Sequence, residues 1–513
     1  MTRVSRRCLL SWTLIGGAVA SGSALLAACS SPVAVPSPTS QPSAPVPAAA
    51  PTVATTSSAP TATPVGTVTT APSSVTAAGP VFAPTSAAVS GIPGPELVAK
   101  PPQKSPITLR FHMRTGGDKS EPAIYVDRPG EWMQQTGHKI MLEPIPGDQN
   151  YVPKVLVLAA SGTIGDLLFT GNSYGEHVHL VHSGIIAPID DYLATYKLNK
   201  AEWFKTIVDT LTFNGKMYGL PKAANPAESF VTINLEMLDK AGIPRPPVYG
   251  VTFDQIRQWA IQLTKGPPDR RDVYGYYTVV NSNQSVTNGV RQRGGDLVAS
   301  DGEHSLVDQQ PFQDWLNWNY QLIVKDKVHP LGGVVTQGDS NAIAAMFAAG
   351  KLAMAHSHRA WQFPIRNAVK DKFAWTNIQY PRGANARGWV SNIDTHSMTA
   401  TTKYMDEAFT LCYALADRRF AYLVAKTQGY LTGRVDNLED LGDLKNDPFL
   451  QLQQTNTEQE EPWWQAKNGR AYEVESVLKN TLDLVWLGKR GPDKSFINDL
   501  KQGIDAVLAK PQA

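Results

Sequence analysis

The chain has 513 residues, 42% of them hydrophobic, enough for a sizeable core and for more than one domain. Lys and Arg total 47 against 45 for Asp and Glu, a net charge of +2 without any dense basic block, so nothing points to nucleic acid as a partner. Three cysteines are present, and Cys8 and Cys29 lie near the N-terminus. Cys412 therefore has no disulfide partner in the body, sites needing several thiolates are excluded, and it reads as a small buried hydrophobe.

Residues 1–28 read as a targeting segment rather than as part of the fold. Arg3, Arg6 and Arg7 give a positive start, and no charged residue occurs from 8 to 95. Residues 9–26 are mostly apolar, broken by Gly16, Gly17 and Gly22. The alternative, an uncleaved membrane anchor, sits poorly with those glycines and with the lack of a following cation. Ser5-Arg6-Arg7-Cys8-Leu9-Leu10 resembles a twin-arginine export signal, and Leu26-Ala27-Ala28-Cys29 resembles the lipobox of bacterial lipoproteins. That resemblance implies cleavage before Cys29 and acylation of its thiol.

Residues 29–105 are rich in Pro, Ser, Thr, Ala and Val and lack the large apolar residues of a packed domain, so they are expected to form a disordered tether. A flexible chain of that length spans roughly 45 Å or more.

The folded body is expected from about residue 106. Residues 107–111 alternate as a strand, 130–136 end a helix, 138–144 form a strand, 151–160 a helix, and 165–169 a buried strand after Gly165. Asn214-Gly215 between short apolar runs predicts a hairpin. Residues 222–228 are small and polar, interrupted by Pro226, and read as a flexible link; 229–234 then read as a strand entering a second unit. Thr252 to Gln255 form a capping box before an apolar stripe at Ile256, Trp259, Ala260 and Leu263. Phe312, Trp315, Leu316, Tyr320 and Ile323 form another stripe, Ser340 caps a further helix that Gly350 ends, and 352–356 is a strand. Residues 405–416 carry an apolar helical pattern. Strands alternating with helices predict an α/β fold.

Several segments in order resemble the extracellular solute-binding proteins of the sugar-binding type (family 1, maltose-binding-protein-like), the receptors of ABC importers. They are Gly165-Asp166-Leu167-Leu168-Phe169, residues 184–193 (GIIAPIDDYL), residues 214–221 (NGKMYGLP), residues 234–243 with Ala241-Gly242-Ile243, Gly294-Gly295-Asp296, and residues 347–354 (FAAGKLAM). The resemblance implies a periplasmic-binding-protein-like fold of type II, two α/β lobes joined by a multi-segment hinge with the ligand cleft between them. The first lobe would comprise 106–223 and 383–433, the second 224–382 and 434–513. It also implies a monomeric lipid-anchored receptor on the extracytoplasmic face of the membrane. That receptor would capture a sugar or oligosaccharide by lobe closure and deliver it to ABC permease subunits, with no cofactor, no metal and no reaction on the ligand.

Candidate ligand groups follow from position and chemistry. Asn172 and Ser173, after the 165–169 strand, offer hydrogen bonds to a hydroxylated ligand, and Tyr174 offers a stacking face. Trp361, just past the 352–356 strand, lies where the family places a stacking aromatic. Trp389 and Asn392 follow an expected second crossing at 380–383. Asn225, Glu228, Asp296 and Arg359 can supply charged or bidentate hydrogen bonds. Trp463 and Trp464 are left open between cleft and core. Gly171 to Gly175 also match G-x-S-x-G, the nucleophile elbow of α/β-hydrolases, so a secreted serine hydrolase using Ser173, with Asp394 and His396 as distant partners, stands as the alternative. A sensor subunit docking a signalling partner is a third reading. His177, His179 and His182, like His356 and His358, are expected to be packed or surface histidines rather than metal ligands.

Overall fold

The computed structural model of the chain describes residues 106–115, 121–146, 151–171, 176–330 and 339–511. The expected signal segment with Cys29, the tether, and the loop carrying Asn172, Ser173 and Tyr174 lie outside them.

β1 (Thr108–Thr115), β2 (Lys139–Pro146) and β3 (Leu167–Gly171) run parallel in the order β2-β1-β3. Parallel neighbours need crossovers, and the helices Glu121–Thr136 and Tyr151–Ala160 supply them. The expected hairpin joins β4 (Thr212–Phe213) to β5 (Lys216–Met217). Asn214 has φ 49° and Gly215 φ 79°, the two positive angles that a tight primed turn requires. β6 (Leu220–Pro226) closes this part of the chain.

The second sheet follows, with β7 (Phe230–Asn234), β8 (Tyr274–Tyr277), β9 (Leu352–Ser357) and β10 (Trp375–Gln379) in the order β10-β7-β9-β8. β11 (Trp389–Met398) returns to the first sheet, antiparallel to β3 and β6, and β12 (Glu460–Glu461) pairs with its start. β3, β7, β9 and β11 are buried along their whole lengths, as strands covered on both faces must be.

Each sheet has its own core. Leu109, Phe111, Phe169, Leu220, Ile393, Phe409 and Phe420 belong to the first, together with the buried Cys412. Leu441, Phe449, Leu450 and Leu452 also pack there. Val231, Ile233, Tyr276, Leu316, Met354, Leu478 and Trp486 belong to the second. The two α/β lobes expected from the sequence are these two units.

The chain passes between the sheets at three places that are hydrogen-bonded to one another. The Ala227 amide donates to the Val390 carbonyl (3.1 Å), the Tyr380 amide to the Ser229 carbonyl (2.8 Å), and the Trp389 amide to the Gln459 carbonyl (3.0 Å).

Two local expectations change. Residues 222–226 are not a free link: they lie in β6, which pairs with β11, so the stretch outside any strand shrinks to 227–229. The antiparallel partner strand overrides the small polar composition. The helix Ser340–Ala348 is capped by Asp339, not Ser340, with the Asp339 carboxylate accepting from the amides of Asn341 (2.9 Å) and Ala342 (3.1 Å). The capping box of Thr252 and Gln255 stands as expected, at 3.2 and 2.9 Å.

Candidate functional site

In open α/β sheets, ligand groups gather beyond the carboxyl ends of strands, and here those ends and the three crossings place charged side chains together. Arg114, near the end of β1, donates through Nη1 to both oxygens of Glu176 (3.0 and 3.2 Å), the first residue of the helix Glu176–His182 that follows β3. Its Nη2 lies 3.7 Å from Asp394 Oδ1 on β11. Arg359, just past β9 in the other lobe, donates to the second oxygen of Asp394. The guanidinium of Arg359 stacks on the Tyr430 ring at 4.3 Å, and Arg114 and the buried Lys222 lie over the Phe169 ring at 4.6 and 5.2 Å. Burial works to raise the Asp394 carboxyl, but Arg359, Lys222 and Arg114 outweigh it and lower it to about 2. Gly171 lies against this cluster: a Cβ there would meet Glu176 Oε2 at 2.9 Å, Arg114 Nη1 at 3.4 Å and Asp394 Oδ1 at 3.6 Å.

The opposite side is built from the hinge and the second lobe. Ser282 caps the helix Asn283–Arg291, which is buried throughout although most of its side chains are polar. Gln284 Nε2 donates to Glu228 Oε2 at 3.1 Å, and the Asn283 amide donates to Glu475 Oε2 at 3.3 Å. Two consecutive residues of one helical turn therefore hold two carboxylates.

Glu228 sits on the first crossing with φ 37°, and burial pushes its carboxyl up to about 7, against hydrogen bonds from Ser285 and Gln284. Glu475 belongs to the helix Ala471–Trp486; the residue is half-buried as a whole, but enclosure of its carboxyl end pushes it up to about 8. The charges of Glu228 and Glu176 add to that rise, and Lys479 opposes it. Glu460 on β12 accepts from Ser391 Oγ at 2.6 Å and is pushed by burial to about 8. Its Oε1 has no hydrogen-bond partner among the described residues. His356 hydrogen-bonds the Glu228 carbonyl oxygen (2.5 Å) and Thr278 Oγ1 (2.9 Å) and stacks on Tyr380 at 4.0 Å; burial lowers it to about 3.

Of the residues singled out from sequence, Glu228 and Arg359 lie in this cluster. Asn392 is buried on β11 opposite Asn225 of β6. Asp296 is engaged by Arg291 (3.0 Å) and Arg387 (2.7 Å). Trp361 is packed in a core cluster with Tyr277, Ile343, Phe347 and Ile365, and Trp389 in the core of the second lobe with Val390, Trp463 and Trp464. Asp394, the acid that a triad centred on Ser173 would draw on, is held by Arg359, and His396 sits among the rings of Phe111, Phe169 and Phe420. His177 is buried and bonded to Thr170 Oγ1 at 3.0 Å, a packed histidine as expected.

Sequence reading missed Arg114, Glu176, Lys222, Glu460, Glu475 and the Asn283–Ser285 turn. The turn left a signal, a Ser-capped polar run a few residues past β8. Glu475 left none, since it stands beside an apolar stripe as any solvated helix residue would.

A profile of the family described as bacterial extracellular solute-binding protein matches residues 118–412. The chain belongs to that family, and its two lobes and triple crossing are the type II architecture. Among similar solved structures is an ABC substrate-binding protein from Listeria monocytogenes in complex with cycloalternan, with a TM-score of 0.66 at 16% identity, covering 79% of this chain and 100% of that one. The GacH receptor of Streptomyces glaucescens, solved unliganded and with acarbose, gives 0.67 at 16% identity, covering 79% and 99%. A binding protein from Thermotoga lettingae with alpha-D-tagatose gives 0.66 at 18% identity, covering 78% and 100%. No curated protein sequence matches the chain. Among the described residues, no helix is long and apolar enough to cross a membrane.

Proposed function

We propose that this chain is the substrate-binding component of an ABC importer, that its ligand is a carbohydrate, and that it does no chemistry on it. The observation that carries the reading is the convergence of fixed polar groups from both lobes beside a triple crossing. Arg114, Glu176 and Asp394 come from one side and Arg359, Glu228, Gln284 and Glu475 from the other. Hydroxyl-rich ligands are recognised by such charge-assisted and bidentate hydrogen bonds. The family and the sugars named for the similar structures support the same class.

Closure of the lobes about 227–229, 380–389 and 459–463 would select the ligand, because a ligand shifts a population only through its better affinity for one state. The first lobe would comprise 106–223 and 383–433 with the helix Pro448–Glu458 packed on it, the second 224–382 and the C-terminal helices. Asn172, Ser173, Tyr174, Asn225 and Asn392 are proposed as further ligand contacts. Trp361 and Trp389 would contribute only if closure exposed an edge of their rings.

Thermal unfolding of the full-length chain across neutral and charged sugars, polyols and peptides tests this. A sugar at 100 times its Kd should stabilise the chain by about 2.7 kcal/mol. Stabilisation by peptides alone would overturn the carbohydrate reading. The proposed lipid anchor rests on Leu26-Ala27-Ala28-Cys29: Cys29→Ser should abolish acylation, and mass spectrometry showing an unmodified mature Cys29 in the parent chain would refute it.

A further inference from the structure

Among the described residues, the cluster at the cleft holds five carboxylates, Glu176, Glu228, Asp394, Glu460 and Glu475, and three cations, Arg114, Lys222 and Arg359. The cations are not evenly shared. Arg114 is bound to Glu176, Arg359 to Asp394, and Lys222 acts on Asp394. Glu228 is held by Gln284 and Ser285, which are neutral. Glu475 is held by a backbone amide, and the cation that acts on it among the described residues is the exposed Lys479. The helix end at Asn283 adds about half a positive charge, too little to balance two carboxylates. His356, which also faces Glu228, is fixed by Thr278 and a carbonyl and adds no charge. Glu460, whose Oε1 is buried with no hydrogen-bond partner among the described residues, lies in the field of Arg359.

Buried carboxylates are costly unless paired. We infer that the carbohydrate taken by this cleft carries a basic nitrogen, an ammonium group seated between Glu228 and Glu475. The ammonium supplies a counter-charge that the described residues do not, and the sugar hydroxyls face Asn283, Gln284 and the charged pairs of the first lobe. Without an ammonium, burial keeps both carboxyls largely protonated at pH 6.5, so a neutral sugar of the same shape gains no ion pair there. This inference rests on the carbohydrate reading above and specifies its ligand class.

The test is calorimetric affinity of the full-length chain for glucosamine and its β-1,4-linked dimer, against their N-acetylated counterparts, at pH 6.5. N-acetylation keeps the sugar frame and removes the charge. The free amines should bind at least tenfold more tightly, and the advantage should shrink with added salt and fall towards parity in Glu228→Gln and Glu475→Gln. Circular dichroism and Tm check that both variants fold; the comparison in the parent chain decides the matter without them. Equal or tighter binding of the acetylated sugars, or an amine advantage that survives both substitutions, overturns the inference. If neutral sugars bind and amines gain nothing, only the inference falls. If no sugar of either kind binds, the carbohydrate reading falls with it.

Discussion

On the first-lobe wall of the cleft, Glu176 and Asp394 each have a guanidinium at contact distance, whereas the wall made by the hinge and the second lobe holds Glu228 and Glu475 on amides and a hydroxyl. The difference shows most clearly at Asp394, which its cations hold at about 2 although burial alone would raise it, whereas burial lifts Glu228 to about 7 and Glu475 to about 8. Glu176 is raised by burial as well, with Arg114 opposing the rise. Each carboxylate of the first wall thus has a guanidinium partner, and we assign the counter-charge of the second to a ligand, as inferred above. The Arg359–Asp394 pair also joins the two lobes, since Arg359 follows β9 and Asp394 lies on β11.

The largest expected effect comes from breaking the matched wall. Asp394→Asn strips the counter-charge from Arg359 and from the buried Lys222, and removing one partner of a buried pair destabilises by about 3–5 kcal/mol. Urea denaturation at pH 7 measures it. A loss below about 1 kcal/mol would mean that the pair is solvated and the contrast between walls is false.

Glu228→Gln should act in the other direction. A carboxyl whose folded pKa is raised, here from 4.5 to about 7, weakens the fold as pH rises through that window, and the full penalty is present above about pH 7. The variant should therefore match the parent near pH 4 and exceed it by about 1–3 kcal/mol at pH 8. Asp394 has the reverse sign: its contribution is present above about pH 4 and is lost as pH falls towards about 2. Denaturation curves collected from pH 3 to 8 separate the two walls, and a pH-independent difference between Glu228→Gln and the parent would contradict the assignment.

Gly171→Ala should have the smallest effect. Its methyl would press on Glu176 Oε2 and Arg114 Nη1, and the ends of these side chains can shift, so about 1 kcal/mol of overpacking is expected. Denaturation at pH 7 checks this, and a neutral outcome would mean that the Arg114–Glu176 pair is loosely held.

Much of the fold was legible because its signals are local. The Asn214-Gly215 turn, the Thr252 capping box and the helix Tyr151–Ala160 fall where periodicity and turn chemistry put them. β6 was misread as a link because its pairing with β11 joins residues about 170 positions apart, which no window of sequence displays. The site was less legible for the same reason. Type and position single out Glu228 and Arg359 as candidates, but Glu176 meets Arg114, and Glu475 meets Asn283, only through tertiary folding. Trp361 and Trp389 drew attention as potential stacking faces, and sequence could not tell such a face from a ring enclosed by Tyr277 or Val390.

A hinged receptor that closes on its ligand should change the distance between its two lobes. Val157, on the helix Tyr151–Ala160 of the first lobe, and Ile261, on the helix Phe253–Leu263 of the second, are both exposed, while Cys412 is buried. Spin labels at Val157→Cys and Ile261→Cys, with Cys8 and Cys29 replaced by Ser, report the distance between lobes by pulsed electron resonance. Adding the sugar that raises Tm most should narrow the distance distribution and move its population to one closed value. A broad distribution that saturating ligand leaves unchanged would contradict closure.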